Sequence, residues 1–195
     1  NHADALVTGF TRSYPTVAKP MIDLIGKIKG IRKIAATNLM LTDKGPLFLS
    51  DTAMNINPNA KELAEITRMT DKTMKMFGLT PNLAMVSYSN FGSSKSDSGT
   101  KMTEAVNYLH RYFPHINVDG ELQADFALNG EMRNEKFPFS KLQGKKVNFT
   151  INQQCELLSI RPQGGPGYGS LQGNPADFLA CVLTGYRRED IQIRR

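Results

Sequence analysis

The stretch Ser87-Tyr88-Ser89-Asn90-Phe91-Gly92-Ser93-Ser94 gathers hydroxyls, an amide and a glycine in one place. The apolar run Leu83-Ala84-Met85-Val86 before it reads as a buried strand, and the segment after Gly99 reads as a helix. A loop in that position suits a phosphate or phosphoanhydride. Ligands of open parallel sheets bind at the C-terminal ends of strands, and the following helix offers N–H groups and a positive dipole end. Ser87, Ser89, Asn90, Gly92, Ser93 and Ser94 are the candidate ligand groups. The commoner reading of a serine-rich loop is a surface connection with helix caps.

A second loop, Thr11-Arg12-Ser13-Tyr14-Pro15-Thr16, also follows a strand signal and precedes a helix. The Arg12 fork suits phosphate, with Ser13, Thr16 and Lys19 beside it. A capped helix start with a solvated arginine explains the same residues equally well. In Asp119-Gly120-Glu121-Leu122-Gln123-Ala124-Asp125, three carboxylates within seven residues suggest acid/base or metal work. Capping is the favoured alternative: Asp119 or Gly120 would start a helix, and Glu121 would complement its dipole. His110 and His115 are not one helical turn apart, and Pro114 lies between them. Cys155 and Cys181 form no Cys-x-x-Cys pair. No metal site and no disulfide framework are expected.

The elements that must position these loops follow from periodicity. Residues 3–9 read as a strand, and Thr16 to Lys29 as a helix with Val17, Met21, Leu24, Ile25 and Ile28 on one stripe and Pro20 in its first turn. Ile34 to Leu41 and Pro46 to Leu49 read as a hairpin around Asp43-Lys44-Gly45. A long helix opens at Asn57-Pro58-Asn59, with Pro58 near its first position, buries Leu63, Ile66, Met69, Met74 and Phe77, and stops at Gly78. The helix after Gly99 buries Met102, Ala105, Val106, Leu109 and Tyr112 or Phe113, and Pro114 ends it. Ile116 to Val118 is a short strand, Glu121 to Asn134 a helix burying Leu122, Phe126 and Met132, and Lys146 to Ile151 a strand. Alternation of this kind predicts an α/β fold of three α/β/α layers with a mostly parallel sheet.

Composition narrows the function classes. The 195 residues are 40% hydrophobic and 22% charged, ordinary for a folded domain. No apolar run approaches the roughly 20 residues that span a bilayer. No basic start leads into an apolar stretch as in a signal peptide, so a cytoplasmic protein without a membrane role is expected. A net charge of +6 fits an anionic small ligand, and no dense basic face with aromatics argues for nucleic acid. The chain opens without Met and reaches strand-like Ala5-Leu6-Val7 at once, so a piece of a longer polypeptide is expected, with a processed or trimmed N-terminus as the alternative. The composition changes after Ile151. Residues 1–151 are read as one domain and 152–195 as an unassigned Gly/Pro-rich tail, with five glycines from Gly164 to Gly173.

Ala3-Asp4-Ala5-Leu6-Val7, then Asp51-Thr52-Ala53-Met54-Asn55-Ile56-Asn57-Pro58, Leu63-Ala64-Glu65-Ile66, Phe77-Gly78, Ala84-Met85-Val86-Ser87-Tyr88-Ser89 and Asp119 through Asp125 form an ordered set. At these spacings, from Ala3 to Asn148, the set resembles the phosphotransacetylase family. The two loops around Arg12 and Ser93 look like the branch fused to the C-terminus of bacterial malic enzymes. The resemblance implies a two-lobed fold. Free-standing members of the family move an acetyl group between CoA and phosphate without a metal. In the fused proteins the upstream part uses NAD(P) and a divalent metal to oxidise and decarboxylate malate. The fused domain is expected to bind an acetyl-CoA-type effector or phosphate, to hold a homo-oligomer together, and to carry no cofactor of its own. Asp51, Asn55, Asp119, Gln123 and Asp125 then become structural or site-lining residues, and no catalytic residue is assigned. Two departures stand out. Free-standing members have an arginine where Lys19 precedes Pro20, and the family's later Ser-Arg catalytic pair is not recognisable after Asn148. Either the tail has diverged, or its recorded sequence comes from another reading frame, which DNA sequencing decides.

The glycine content of the tail raises the cost of ordering it, at about 1–2 kcal/mol per fixed residue. Limited proteolysis is therefore expected to cut first between Gln163 and Gly173. Protection there equal to that of the segment around Leu63 would make the tail integral to the fold.

Overall fold

The computed structural model describes residues 14–27, 29–42, 45–51, 54–151 and 180–184. The chain divides into two compact units, 1–31 with 185–195, and 32–184. The strand expected at 3–9 and the tail from 152 to 179 lie outside the described residues.

In the first unit the described residues form α1 (Tyr14–Ile25), which begins earlier and ends sooner than periodicity suggested. Gly26, at φ 78°, stops it. Pro20 therefore lies inside the helix rather than in its first turn, and removes one main-chain donor there. Leu24, expected on the buried stripe, is 77% exposed, and Ala18 is a buried position instead.

The second unit is built on a sheet. β1 (Ala35–Thr42) and β2 (Gly45–Ser50) make the expected hairpin, with Thr42 paired to Gly45. Gly45 has φ 105°, which favours glycine, and its carbonyl accepts from the Thr42 hydroxyl at 2.7 Å. α2 (Ala60–Met76) starts with a reciprocal capping box: Asn59 Oδ1 accepts from Glu62 N, and Glu62 Oε2 accepts from Asn59 N, both at 3.0 Å. Pro58 thus precedes the cap instead of occupying the first helical position. Leu63, Ile66, Met69 and Met74 are buried as expected, but Phe77 at the C-cap is 53% exposed. Gly78, at φ 73°, follows as the left-handed terminator.

β3 (Leu83–Val86), α3 (Asp97–Tyr112) and β4 (Val118–Leu122) come next. Tyr112 is exposed, and Phe113 packs against the core. The helix expected over Glu121 to Asn134 is divided. Glu121 and Leu122 finish β4, and α4 (Ala124–Leu128) and α5 (Gly130–Lys136) follow. Every residue of β4 is buried. Buried backbone needs partners, and pairing with β3 supplies them for Val118, Asp119, Gly120 and Leu122, with Phe91 N donating to Glu121 O at the register shift, which overrides local helical periodicity. Met132, expected inside, is 36% exposed, while Ala127 and Arg133 are buried.

β5 (Phe149–Ile151) inserts between β3 and β2, and β6 (Ala180–Thr184) pairs antiparallel with β1. The strand order is β4-β3-β5-β2-β1-β6, with the first four mutually parallel. β3 feeds both faces. Leu83 and Met85 join Phe48, Leu63, Met102, Leu109 and Phe149 under α2 and α3, whereas Ala84 and Val86 meet Leu122, Ala127, Leu142 and Val147 on the other side. The result within this unit is three layers around a mostly parallel sheet. No described helix is long and apolar enough to cross a membrane.

Phe149 stacks on Phe48 at 6.4 Å between centroids and is fully buried on the central strand. Phe149→Ala is expected to cost about 3–5 kcal/mol in denaturant unfolding.

Candidate functional site

The parallel strands deliver their C-terminal ends to one edge of the sheet. Asp51 follows β2, Ser87 follows β3, and Gln123 follows β4. Ile151, the last residue of β5, is in register with both Ser50 and Met85. Two inter-strand spacings, roughly 10 Å, therefore separate the Asp51 and Ser87 positions.

The loop after β3 is folded back on itself and tied to β4. Asn90 N donates to Ser93 Oγ and Ser93 N to Asn90 O, both at 2.9 Å. Phe91 (φ 44°) and Gly92 (φ 79°) turn the chain. Ser87 N donates to Leu122 O and Phe91 N to Glu121 O, both at 2.9 Å. Asn90 and Gln123 pair reciprocally: Asn90 Nδ2 donates to Gln123 Oε1 and Gln123 N to Asn90 Oδ1, each at 2.7 Å. Gln123 Nε2 adds a bond to Tyr88 O at 2.7 Å. The Phe91 ring packs edge-on against Phe137 and Phe139, at 5.1 and 4.9 Å between centroids.

Beneath the loop lies Glu121, with no exposed surface. Its Oε1 accepts from the Ser89 hydroxyl and, at 3.1 Å, from Gly92 N. Its Oε2 is buried without a hydrogen-bond partner among the described residues. The carboxylate packs against Gly99 in the first turn of α3, where a Cβ would stand 3.0 Å from Glu121 Cδ. Glu121 is thus a buried strand residue under the loop, and not the exposed start of a helix. Asp119 is likewise no cap: its Oδ2 accepts from Ser140 Oγ at 2.8 Å and Lys141 N at 2.7 Å. The N-cap of α4 is Gln123, whose side chain makes no cap bond because it is engaged with the loop. Asp125 is exposed in the first turn of α4. The three carboxylates face separate partners, and no three His, Cys, Asp or Glu side chains converge on a metal position among the described residues.

The expected ligand groups therefore separate into two kinds. Ser89 and Asn90 are engaged internally, and the Gly92 amide is given to Glu121. The α3 donor at Gly99 is also engaged, by Ser96 Oγ at 3.0 Å. Ser93 and Ser94 are exposed, and the buried Ser87 hydroxyl has no partner among the described residues. Lys95, which the sequence reading passed over, is an exposed cation at the end of this loop. Asp51 and Asn55 are buried and structural: Asp51 accepts from Ala36 N (2.9 Å), Asn55 N (2.8 Å) and the Asn55 side chain, which also donates to Ile34 O at 2.9 Å.

Arg12 and Ser13 lie outside the described residues. Thr16 and Lys19 belong to α1, where Lys19 pairs with Asp23 at 3.0 Å between exposed side chains. Such a pair contributes about 0.5 kcal/mol or less. Arg133 is another residue that spacing did not reveal. Fully buried, it donates to the carbonyls of Ala127 (2.7 Å) and Leu142 (3.1 Å). Burial pushes its guanidinium below the usual arginine range, opposed by the charge of Asp119.

The sequence profile of the phosphate acetyl/butaryl transferase family matches residues 1–149. The chain belongs to this family. It is 42% identical over 143 residues to an NADP-dependent malic enzyme of Haemophilus influenzae, covering 73% of this chain and 19% of that one. It is 34% identical over 142 residues to a phosphate acetyltransferase of Bacillus subtilis, covering 73% and 44%. A phosphotransacetylase from Streptococcus pyogenes has a similar structure, with a TM-score of 0.71 and 26% identity over 97% of this chain and 60% of that one. The chain thus spans about a fifth of the malic enzyme's length and under half of the acetyltransferase's. The family match ends inside β5.

Two neighbouring serines test this anatomy. Ser89→Ala is expected to cost about 1–3 kcal/mol of stability, because it takes a donor from a buried carboxylate. Ser87→Ala is expected to cost nothing in the same thermal or denaturant measurement, since its hydroxyl satisfies no group among the described residues.

Proposed function

We propose that this chain is the phosphotransacetylase-like part of a bacterial malic enzyme, and that its β3–α3 loop binds a CoA ester or phosphate as a regulatory ligand. The observation that carries the reading is the loop itself. It stands at the C-terminal ends of parallel strands, is tied down by hydrogen bonds to β4, and turns Ser93, Ser94 and Lys95 to solvent. Hydroxyls and a cation on a fixed backbone suit a phosphate group, because little ordering remains to be done on binding. Identity to five malic enzymes runs from 34 to 42%, and identity to the Bacillus acetyltransferase is 34%.

Active acetyl transfer, in which phosphate oxygen attacks the thioester carbonyl and CoA thiolate leaves, is the second reading. Lys19 argues against it. A lysine lacks the planar fork of the arginine that free-standing members carry there, and this one is paired to Asp23. Loss of one positioned electrostatic donor typically costs about 10²–10³ in rate. The whole protein is inferred to be a cytoplasmic homo-oligomer whose NAD(P) and divalent metal belong to another part of the polypeptide.

Calorimetry with acetyl-CoA, and with phosphate, is expected to register binding to the purified chain. Mixing acetyl-CoA and phosphate should yield no acetyl phosphate above background, and malate should not drive NAD(P) reduction. Robust acetyl phosphate formation, abolished by Ser93→Ala, would make the chain an acyltransferase.

A further inference from the structure

Burying a carboxylate is costly unless donors receive it. Glu121 is fully buried, and no ion pair holds it among the described residues. Its hydrogen-bond donors, Ser89 Oγ and Gly92 N, both come from the β3–α3 loop. Its second oxygen turns to Gly99, in the first turn of α3, where the helix dipole favours negative charge. The adjacent strand residues Val86 and Leu122, which pair with each other, are apolar and buried. A carboxylate at position 121 therefore does something for the loop that an apolar strand residue cannot.

We infer that Glu121 is a positioning residue. It holds Ser89 and Gly92 in place, so that Ser87, Ser93 and Ser94 keep one arrangement toward an anionic ligand. Gly99 is the partner of this device, since a side chain there would displace the carboxylate. The inference rests on the reading of the loop as the ligand site. Glu121 acts through the loop and is not itself a ligand contact.

The test uses the full chain with Glu121→Gln, which keeps the shape and one acceptor but loses the charge facing α3. Calorimetry with acetyl-CoA and with inorganic phosphate should give affinities about tenfold weaker, the size of a lost charge-assisted hydrogen bond. Ser89→Ala combined with Glu121→Gln should be no weaker than the worse single variant, because both act on one unit. Hydrogen exchange at the Gly92 amide should quicken in Glu121→Gln. If that variant does not fold, Glu121→Asp keeps the charge and withdraws it from the loop, and the same losses are expected. Unchanged affinity overturns the inference, as does a lowered melting midpoint with an unaltered dissociation constant or strictly additive losses. If the wild-type chain binds neither probe, the ligand-site reading fails, and the Gly92 amide decides the remaining claim: unchanged protection in the variant ends it.

Discussion

A charge removed from water has to be met by dipoles and hydrogen bonds, and in this fold that demand falls on the surroundings of Glu121. Satisfying it sets several features at once. The loop after β3 must bring a hydroxyl and an amide to the same oxygen, which Ser89 and Gly92 do. The chain must turn sharply between them and Ser93, so Phe91 and Gly92 both take positive φ. α3 must begin with an opening for the carboxylate, and Gly99 provides it. β4 must also lie close to β3. A Cβ on Gly120 would stand 2.5 Å from the Met85 carbonyl oxygen, so only glycine allows that approach.

The polar ties around this centre link the sheet to the segment that follows it. Asp119 receives Ser140 and Lys141, and Arg133 collects carbonyls from Ala127 and Leu142. Together they fasten the stretch from α4 to residue 145 beneath the second face of the sheet, where Leu142 and Val147 complete a small apolar cluster. Phe137 and Phe139 from the same stretch then clasp Phe91 in the loop. A rigid frame thus reaches the loop from two sides, through hydrogen bonds to β4 and through aromatic packing.

Rigidity of this kind bears on function. A loop that is already ordered loses little entropy when it accepts a ligand. Catalysis asks for more, since groups must favour the transition state over the bound substrate. Family membership supplies the fold and the loop.

Much was legible in the sequence where the physics is local. Period and turn chemistry marked the hairpin, the capped start and glycine stop of α2, the buried run of β3 and the core face of α3. The ordered short segments pointed to the family, and the position of the serine loop after a buried strand pointed to the candidate site. Asp119-Gly120-Glu121 was different. Its residues carry helix-start chemistry, and only the ladder with β3 and complete burial make it a strand. The division of the loop into engaged and open hydroxyls was also hidden, because it depends on residues some thirty positions apart meeting at one edge, as Asn90 meets Gln123. Arg133 left no local sign, since its partners are carbonyls. Sequence alone determined the family and, among the described residues, most of the elements. Tertiary structure decided which polar groups are consumed by the fold, because burial and pairing are set by the distant segments that pack against each group.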